Sequence, residues 1–246
     1  LRLPLGILCM MKCLKLLAGI ERLIMIPLKT QSRFNISPLV HSWTAGDGPD
    51  FGGSPETEEH AALVSRFATA VDLQNAAWVT QVHGEDVIGV QSGGWSGQAD
   101  GLWTDKPGLG VVGRSADCPL VLIGGPKFLP DDNGRTHAWG FAHASWRSTL
   151  AGISSSLVKA LAEAGLRPND MRVCICPSAG PCCYEVGQEV VSAAEQSHPE
   201  MSGAWFTQAE GKTFFNLWQA NKDILMQAGI PGAQILATET CTICNE

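Results

Sequence analysis

The chain has 246 residues, of which 45% are hydrophobic and 17% are charged, and its formal net charge is −7. This length suffices for one large domain or two small ones, and the composition is that of a globular protein with a substantial core. The net negative charge argues against a broad binding surface for nucleic acid or anionic lipid, so we expect neither as a partner. The nine cysteines do not have the spacing of a disulfide scaffold. We therefore expect thiols, a reducing compartment and a cytoplasmic location.

The first 28 residues are apolar, but charged side chains interrupt them at Lys12, Lys15, Glu21 and Arg22. They do not supply the roughly 20 uncharged residues of a spanning helix, and no clean signal-peptide cleavage site follows them. The chain also begins with leucine. We interpret residues 1–28 as an extension outside the domain, with Met25 as the start of translation, and predict one domain over residues 30–246.

The hydrophobic pattern predicts strands and helices that mix along the chain without a strict βαβ order. The predicted strands are 34–44, 76–81, 87–91, 109–113, 120–124, 136–142, 171–176 and 233–237. The predicted helices are 58–71, 150–164, 184–195 and 214–228, and the predicted loops are 45–55, 92–101 and a polar hairpin tip at 126–135. This mixture predicts an α+β fold rather than a doubly wound parallel sheet.

The corner Ala116-Asp117-Cys118-Pro119 lies between two predicted buried strands, and His83 and His143 follow two other strands. Because ends of neighbouring strands converge, these side chains are candidates for one site. Two imidazoles and a thiolate suit Zn²⁺ and leave a coordination position open for chemistry. A cysteine–histidine nucleophilic pair would use the same residues, and an inert packed cysteine is the third interpretation.

The other cysteine pairs carry weaker predictions. Cys182-Cys183 and Cys174-x-Cys176 are interpreted as buried thiols rather than redox-active groups. Cys241-Thr-Ile-Cys244 has the spacing of a metal-binding pair, but the sequence contains no second pair of that spacing. We therefore interpret this CxxC as a weak signal.

Seven phrases occur in a fixed order: QVHG at 81–84, ADGLWT at 99–104, ADCP at 116–119, HASWR at 143–147, GPCCYEVG at 180–187, NLWQAN at 216–221 and AGI at 228–230. Together they closely resemble the YfiH/LACC1 family, also called the polyphenol oxidase or multicopper-laccase-like family. The resemblance covers about residues 35–243 and rests on the ordered set rather than on any single phrase.

The resemblance implies a single α+β domain with a central β-sandwich flanked by helices in α/β/β/α layers. It implies zinc held by the catalytic residues His83, Cys118 and His143. It also implies phosphorolysis of adenosine, inosine, guanosine and methylthioadenosine, and deamination of adenosine. The expected partners are then purine nucleosides and phosphate, and the expected state is a monomer or homodimer. An older name of the family describes a copper-dependent, laccase-like polyphenol oxidase, and this activity is the alternative function.

Three further residues are predicted to bind substrate. Arg147 would hold phosphate with its guanidinium group, although a surface salt bridge is an equal alternative. Gln81 shares a strand face with His83 because side chains alternate with a period of two. Asp117 would carry protons, or it would cap the end of a strand.

The chain departs from the family pattern at several positions. Ser145 and Ser148 replace two glycines and are expected to tighten a turn or the pocket. Residues 43–48 lack the family's usual arginine, and the aromatic-Ser-x-Arg-Arg segment after Cys241 is absent, so we expect a C-terminally truncated domain. A degenerate, non-catalytic family member is therefore a further hypothesis.

Overall fold

The computed structural model describes residues 53–130 and 136–244, and the backbone of three strands nearer the N-terminus. The strands are β1 (Ile7–Cys13), β2 (Leu28–Lys29), β3 (Leu39–Thr44), β4 (Asn75–Thr80), β5 (Val87–Gly89), β6 (Gly94–Gln98), β7 (Gly101–Thr104), β8 (Leu109–Ser115), β9 (Leu120–Pro126), β10 (His137–His143), β11 (Arg172–Ile175), β12 (Glu185–Val186), β13 (Phe206–Ala209), β14 (Lys212–Phe215) and β15 (Ile235–Ala237). The helices are α1 (Glu58–Ala70), α2 (Trp146–Ala151), α3 (Ile153–Glu163), α4 (Gln188–Ser197) and α5 (Leu217–Gln227). None of the described helices is long and apolar enough to cross a membrane.

Two six-stranded sheets form a sandwich, with strand orders β2-β3-β1-β8-β4-β6 and β15-β11-β9-β10-β7-β5. Side chains of both sheets meet in one buried cluster, in which Val79 and Val111 of the first sheet pack with Leu120, Leu122 and Phe141 of the second. Burial of this apolar surface holds the two sheets together. The layer between the sheets is therefore the main core.

Helices cover the outer faces of both sheets. Helix α1 buries Phe67 against the first sheet. On the second sheet, Val121 and Ile123 point away from the sandwich interior and pack with Leu157 of α3 and Leu225 of α5. Strand β9 is thus apolar on both faces, as expected of a strand covered on both sides. The resulting α/β/β/α layers confirm the predicted α+β fold with a helix-flanked sandwich.

The single helix predicted at 150–164 is wrong, because Gly152 divides it into α2 and α3. Gly152 has φ +93°, a left-handed conformation that ends one helix and begins the next. Helix α2 begins where Ser145 accepts a hydrogen bond from the backbone N–H of Ser148, at 3.1 Å. The two serines that replace family glycines therefore tighten a turn, as an N-terminal cap.

Other boundaries also differ from the sequence predictions. The predicted loop 92–101 contains β6, which pairs in parallel with β4. The helices predicted at 184–195 and 214–228 begin later, because β12 and β14 pair with each other in a third, small sheet with β13. Gly187 and Asn216 precede the two helices, and the Asn216 side chain accepts from the backbone N–H of Gln219.

Part of the N-terminal segment is paired into the fold. The backbone of β1 lies between β3 and β8 in the first sheet. This strand falls within the segment that we interpreted as an extension, and the domain boundaries stay a prediction. Met25, most of the loop at 45–55 and residues 131–135 of the hairpin tip predicted at 126–135 lie outside the described residues.

Candidate active site

Two parallel strands of the first sheet place His83 and Cys118 at the same end of the sandwich. Strands β4 and β8 are neighbours that run in the same direction, with Asn75 opposite Leu109. His83 lies just beyond the end of β4, and Cys118 lies just beyond the end of β8. Carboxyl ends of parallel strands meet at one edge, so the register alone brings these two side chains close together.

The corner of residues 116–119 then carries the chain from the first sheet into the second. Strand β9 begins at Leu120, which is paired with His143 at the end of β10. His143 therefore sits at the same edge as Cys118. One ligand atom each of His83, Cys118 and His143 lies within 4.8 Å of the others, and the two imidazole centroids are 5.2 Å apart. We call these three residues the His–Cys–His site.

A buried carboxylate, Asp100, orients His143. Strand β7 pairs with β10, so Asp100, just before β7, lies beside His143, and the His143 backbone N–H donates to the Asp100 carbonyl at 2.7 Å. The His143 Nδ1 lies 2.9 Å from Asp100 Oδ1. Asp100 is 0% exposed and His143 is 5% exposed. The carboxylate fixes the proton on Nδ1 and leaves Nε2 to act as a ligand, which is a common arrangement behind metal-binding histidines.

The same carboxylate also fixes the backbone that presents His83. Its oxygens accept hydrogen bonds from three consecutive N–H groups, at 3.0 Å from Val82, 3.0 Å from His83 and 2.7 Å from Gly84. His83 itself has φ +61°, a left-handed conformation uncommon for residues other than glycine. Asp100 thus holds both histidines, one through its ring and one through its backbone.

The electrostatics of the site favour a charged Asp100 and a neutral His83. Burial raises the pKa of Asp100, but hydrogen bonds from His143 and the Gly84 N–H outweigh burial and leave the pKa lowered. Burial, followed by the nearby His143, lowers the pKa of His83. A neutral imidazole is the form that binds a metal ion.

Burial and the charges of Asp117 and Asp100 raise the pKa of the Cys118 thiol to about 11. A thiol with this pKa is protonated near neutral pH, and a protonated thiol is a poor nucleophile. The raised pKa therefore gives no support to the hypothesis of a cysteine–histidine nucleophilic pair.

Arg147 and Tyr184 lie beside the His–Cys–His site. Arg147 is exposed at the start of α2, and its guanidinium lies 4.3 Å from the centre of the Trp146 ring. It lowers the pKa of His83, which reflects their proximity. Among the described residues no carboxylate forms an ion pair with Arg147, so its donors can take an anion. Burial and the nearby Cys118 raise the pKa of Tyr184 to about 12, so its phenol stays a hydrogen-bond donor.

The other two predicted substrate-binding residues have structural partners. The Gln81 amide donates to the Arg114 carbonyl at 2.8 Å and accepts from the Arg114 N–H at 3.1 Å, which extends the pairing beyond β4. Asp117 has φ +76°, and its carboxylate accepts from the Thr242 hydroxyl at 2.6 Å. Their roles toward a substrate stay predictions.

The donor set fits zinc. Two imidazole nitrogens and one sulfur are ligands that Zn²⁺ binds well, and three protein ligands leave one position for water or substrate, as in catalytic zinc sites. Asp100 supplies the outer carboxylate that such sites typically have.

No role for Asp100 or Tyr184 was predicted from the sequence. The signal for Asp100 was its position directly before a strand, within the phrase at 99–104. Its partner follows only from the β7–β10 register. Tyr184 follows the two cysteines at 182–183 and carried no local signal of its own.

A family model and several named proteins match more than half of the chain. A family model described as multi-copper polyphenol oxidoreductase laccase matches residues 54–246. The purine nucleoside phosphorylase YlmD of Geobacillus stearothermophilus is 32% identical over 189 residues, which cover 72% of this chain and 66% of that protein. An adenosine deaminase, RL5, from an unidentified prokaryote is 29% identical over 148 residues, which cover 59% of this chain and 53% of that protein.

The fold is also shared with a solved structure. The crystal structure of the hypothetical protein YfiH of Bacillus licheniformis aligns with a TM-score of 0.65 at 24% identity, over 79% of this chain and 77% of that chain. The chain spans 66% and 53% of the two curated relatives above. On the family match over residues 54–246, the chain belongs to the multi-copper polyphenol oxidoreductase laccase family, which is the YfiH/LACC1 family.

Proposed function

We propose that this chain is a zinc-dependent purine nucleoside phosphorylase that also deaminates adenosine. The observation that carries the proposal is the convergence of His83, Cys118 and His143 within 4.8 Å around a fully buried carboxylate, Asp100. Relatives named purine nucleoside phosphorylase and adenosine deaminase support the choice of chemistry. The proposed substrates are adenosine, inosine, guanosine and methylthioadenosine.

In the proposal, His83, Cys118 and His143 hold zinc. When bound, zinc supplies a Lewis acid that polarises a substrate oxygen or lowers the pKa of a water molecule. Asp100 keeps the His143 Nδ1 protonated and keeps the 82–84 turn in place, so both imidazoles are preorganised. Preorganised ligands do not have to be ordered when the substrate binds.

For phosphorolysis, a phosphate oxygen must reach the anomeric carbon of the ribose while the purine departs with the bonding electrons. We assign the phosphate to Arg147, because its planar guanidinium offers paired donors to phosphate oxygens. Tyr184 retains its proton, so it can donate a hydrogen bond to the substrate or to the leaving base. For deamination, water replaces phosphate as the attacking group. Its oxygen bonds to the purine carbon that carries the amine, and the bond from that carbon to the amine nitrogen breaks to release ammonia.

The alternative is a copper-dependent phenol oxidase, which the family description would suggest. A multi-copper enzyme needs several copper sites. The described residues contain two groups of side chains that could hold a metal, and only the His–Cys–His site contains histidine. The four cysteines supply thiolates alone, which select zinc or Cu(I), and not the nitrogen and oxygen ligands typical of Cu(II). We therefore favour zinc and nucleoside chemistry.

One set of assays tests the proposal. The purified chain is analysed for bound metal and incubated with inosine with and without phosphate, with adenosine, and with a phenol. We expect release of hypoxanthine only with phosphate, and conversion of adenosine to inosine. Phenol oxidation with stoichiometric copper would favour the oxidase instead. Absence of activity in every assay, with zinc bound, would favour a degenerate, non-catalytic member of the family.

Replacing Arg147 by alanine is expected to impair phosphorolysis more than deamination. A charge-assisted hydrogen-bond pair contributes about 1.5–3 kcal/mol, so KM for phosphate should rise about 10- to 100-fold. The measurement is KM for phosphate with inosine, compared with kcat/KM for adenosine. Arg147→Lys keeps the charge but loses the planar pair of donors. Its KM for phosphate should therefore lie between those of wild type and Arg147→Ala.

Arg167→Ala is the matched control, because Arg167 also lies over an aromatic ring, 3.9 Å from the centre of Phe128. That ring follows the far end of β9, away from the His–Cys–His site. Equal losses of both activities in Arg147→Ala would mean that Arg147 does not bind phosphate.

A further inference from the structure

A second group of metal-binding side chains lies outside the His–Cys–His site. Cys182 and Cys183 lie in the loop between β11 and β12, and Cys241 and Cys244 lie in the segment after β15. One sulfur of each residue lies within 4.8 Å of the other three. We call these four residues the four-cysteine cluster.

Packing does not explain this cluster. Cys182 and Cys244 are exposed to solvent, whereas inert packing cysteines are typically buried. A disulfide does not explain it either. The structure forms none among the seven cysteines whose side chains it describes, and the Cys182 and Cys244 sulfurs are 3.5 Å apart rather than at a bonded distance of about 2.05 Å. Four sulfurs that converge from two segments are the donor set of a closed tetrahedral zinc site.

The backbone around the cluster is shaped to support thiolate charge. The Gly180 N–H donates to Cys241 Sγ at 3.3 Å. A side chain at Gly180 would collide with the Trp218 ring at 2.6 Å and meet the Cys241 Cβ at 3.1 Å. Only glycine therefore allows the loop to approach Cys241 this closely.

We propose that Cys182, Cys183, Cys241 and Cys244 bind a structural zinc ion, separate from the His–Cys–His site. Cys241 and Cys244 are two residues apart in the manner of a chelating CxxC pair, and the adjacent Cys182 and Cys183 supply the other two ligands. Binding displaces the thiol protons and gives a tetrathiolate centre with a net charge of −2. This inference does not depend on the proposed function.

The ion would fasten the segment after β15 beside the catalytic site. Ser178 donates to the Thr240 carbonyl at 3.1 Å and accepts from the Thr242 N–H at 3.0 Å, so the segment already runs alongside the loop. The Thr242 hydroxyl donates to Asp117, the neighbour of Cys118. The structural site is therefore one hydrogen bond away from the corner that carries a ligand of the His–Cys–His site.

Metal analysis of the full chain, purified with a reductant and zinc, tests the proposal. Wild type is expected to hold one ion in each group, two in total. The double variant Cys182→Ser, Cys244→Ser replaces the two exposed ligands without touching the core, and it is expected to lose one of the two ions. X-ray absorption of Cys118→Ala, in which the His–Cys–His site is disabled, should show four sulfur neighbours at about 2.3 Å. Cys174→Ala, a buried cysteine outside both groups, should retain both ions.

Several outcomes separate this proposal from the proposed function. A single ion with four sulfur neighbours in wild type would support the structural site and contradict the catalytic one. A double variant that retains both ions would overturn the structural site. So would a Cys182–Cys244 disulfide that persists in the presence of zinc and reductant.

A second measurement uses wild type alone, so it tests the proposal even if the double variant misfolds. In wild type, removal of zinc by a chelator should speed hydrogen exchange at the Thr242 amide, which donates to Ser178. Unchanged exchange at that amide after complete zinc removal would also overturn the proposal.

Discussion

Cys118→Ala is expected to empty the His–Cys–His site and to reduce both proposed activities about 10³-fold or more. The thiolate is one of three protein ligands, and two histidines alone leave a weak site with too many positions open to solvent. Loss of the metal reduces the stabilisation of the transition state by about several kcal/mol. Each 1.36 kcal/mol corresponds to a factor of ten in rate. The measurements are zinc content by mass spectrometry and hypoxanthine release from inosine with phosphate.

The variant should otherwise fold normally. Cys118 is only partly buried at a corner between two strands, so alanine leaves no large cavity in the sandwich core. The ion in the four-cysteine cluster should remain, which makes that ion an internal control for folding. Cys174→Ala removes a thiol from the core and should keep activity. If Cys118→Ala keeps the same zinc content as wild type and keeps its turnover, the ligand assignment is wrong.

The strands of the sandwich could be predicted from the sequence because they carry strong local patterns, whereas their arrangement as a sandwich was implied by the family resemblance alone. Leu120 and Leu122 alternate with Val121 and Ile123, and each pair is buried on its own face. The prediction that strand ends bring His83, Cys118 and His143 together needed only the position of each residue relative to a strand. The structure brings the three together as expected.

The orienting role of Asp100 could not be predicted in the same way. An aspartate before a strand is an ordinary turn residue, and its function follows from the pairing of β7 with β10. That register depends on contacts between residues some 40 positions apart, which a local pattern does not contain. The break at Gly152 was similarly hidden, because a glycine within an apolar helical pattern is compatible with a continuous helix.

The four-cysteine cluster could not be predicted from the local spacing of its cysteines either. Cys182-Cys183 has no recognised metal-binding spacing, and Cys241-x-x-Cys244 is half of a site. The interpretation of the first pair as buried thiols is wrong for Cys182, which is exposed. The two pairs meet because the chain after β15 runs alongside the loop before β12, with Ser178 bridged to Cys241. Only the tertiary structure supplies that contact.

Asp100→Asn is expected to weaken zinc binding at the His–Cys–His site about 10- to 100-fold, the usual cost of removing the carboxylate behind a metal-bound histidine. Asparagine keeps the size of the side chain but offers one acceptor oxygen in place of two. In wild type, Oδ1 accepts from His83 and from His143, while Oδ2 accepts from Val82 and Gly84. An amide nitrogen in either position would face two donors, so the 82–84 turn or the His143 ring must shift.

Zinc affinity, measured by competition with a chelator, is the primary test, and kcat/KM for inosine at saturating zinc is the second. Since excess zinc can refill a weakened site, part of the lost activity should return when zinc is added to Asp100→Asn, and none should return in Cys118→Ala. Asp105→Asn is the matched control, because that carboxylate binds Lys127 at 2.7 Å and contacts neither histidine. Equal zinc affinity in Asp100→Asn and wild type would show that the two imidazoles keep their positions without the buried charge, and that Asp100 does not orient them.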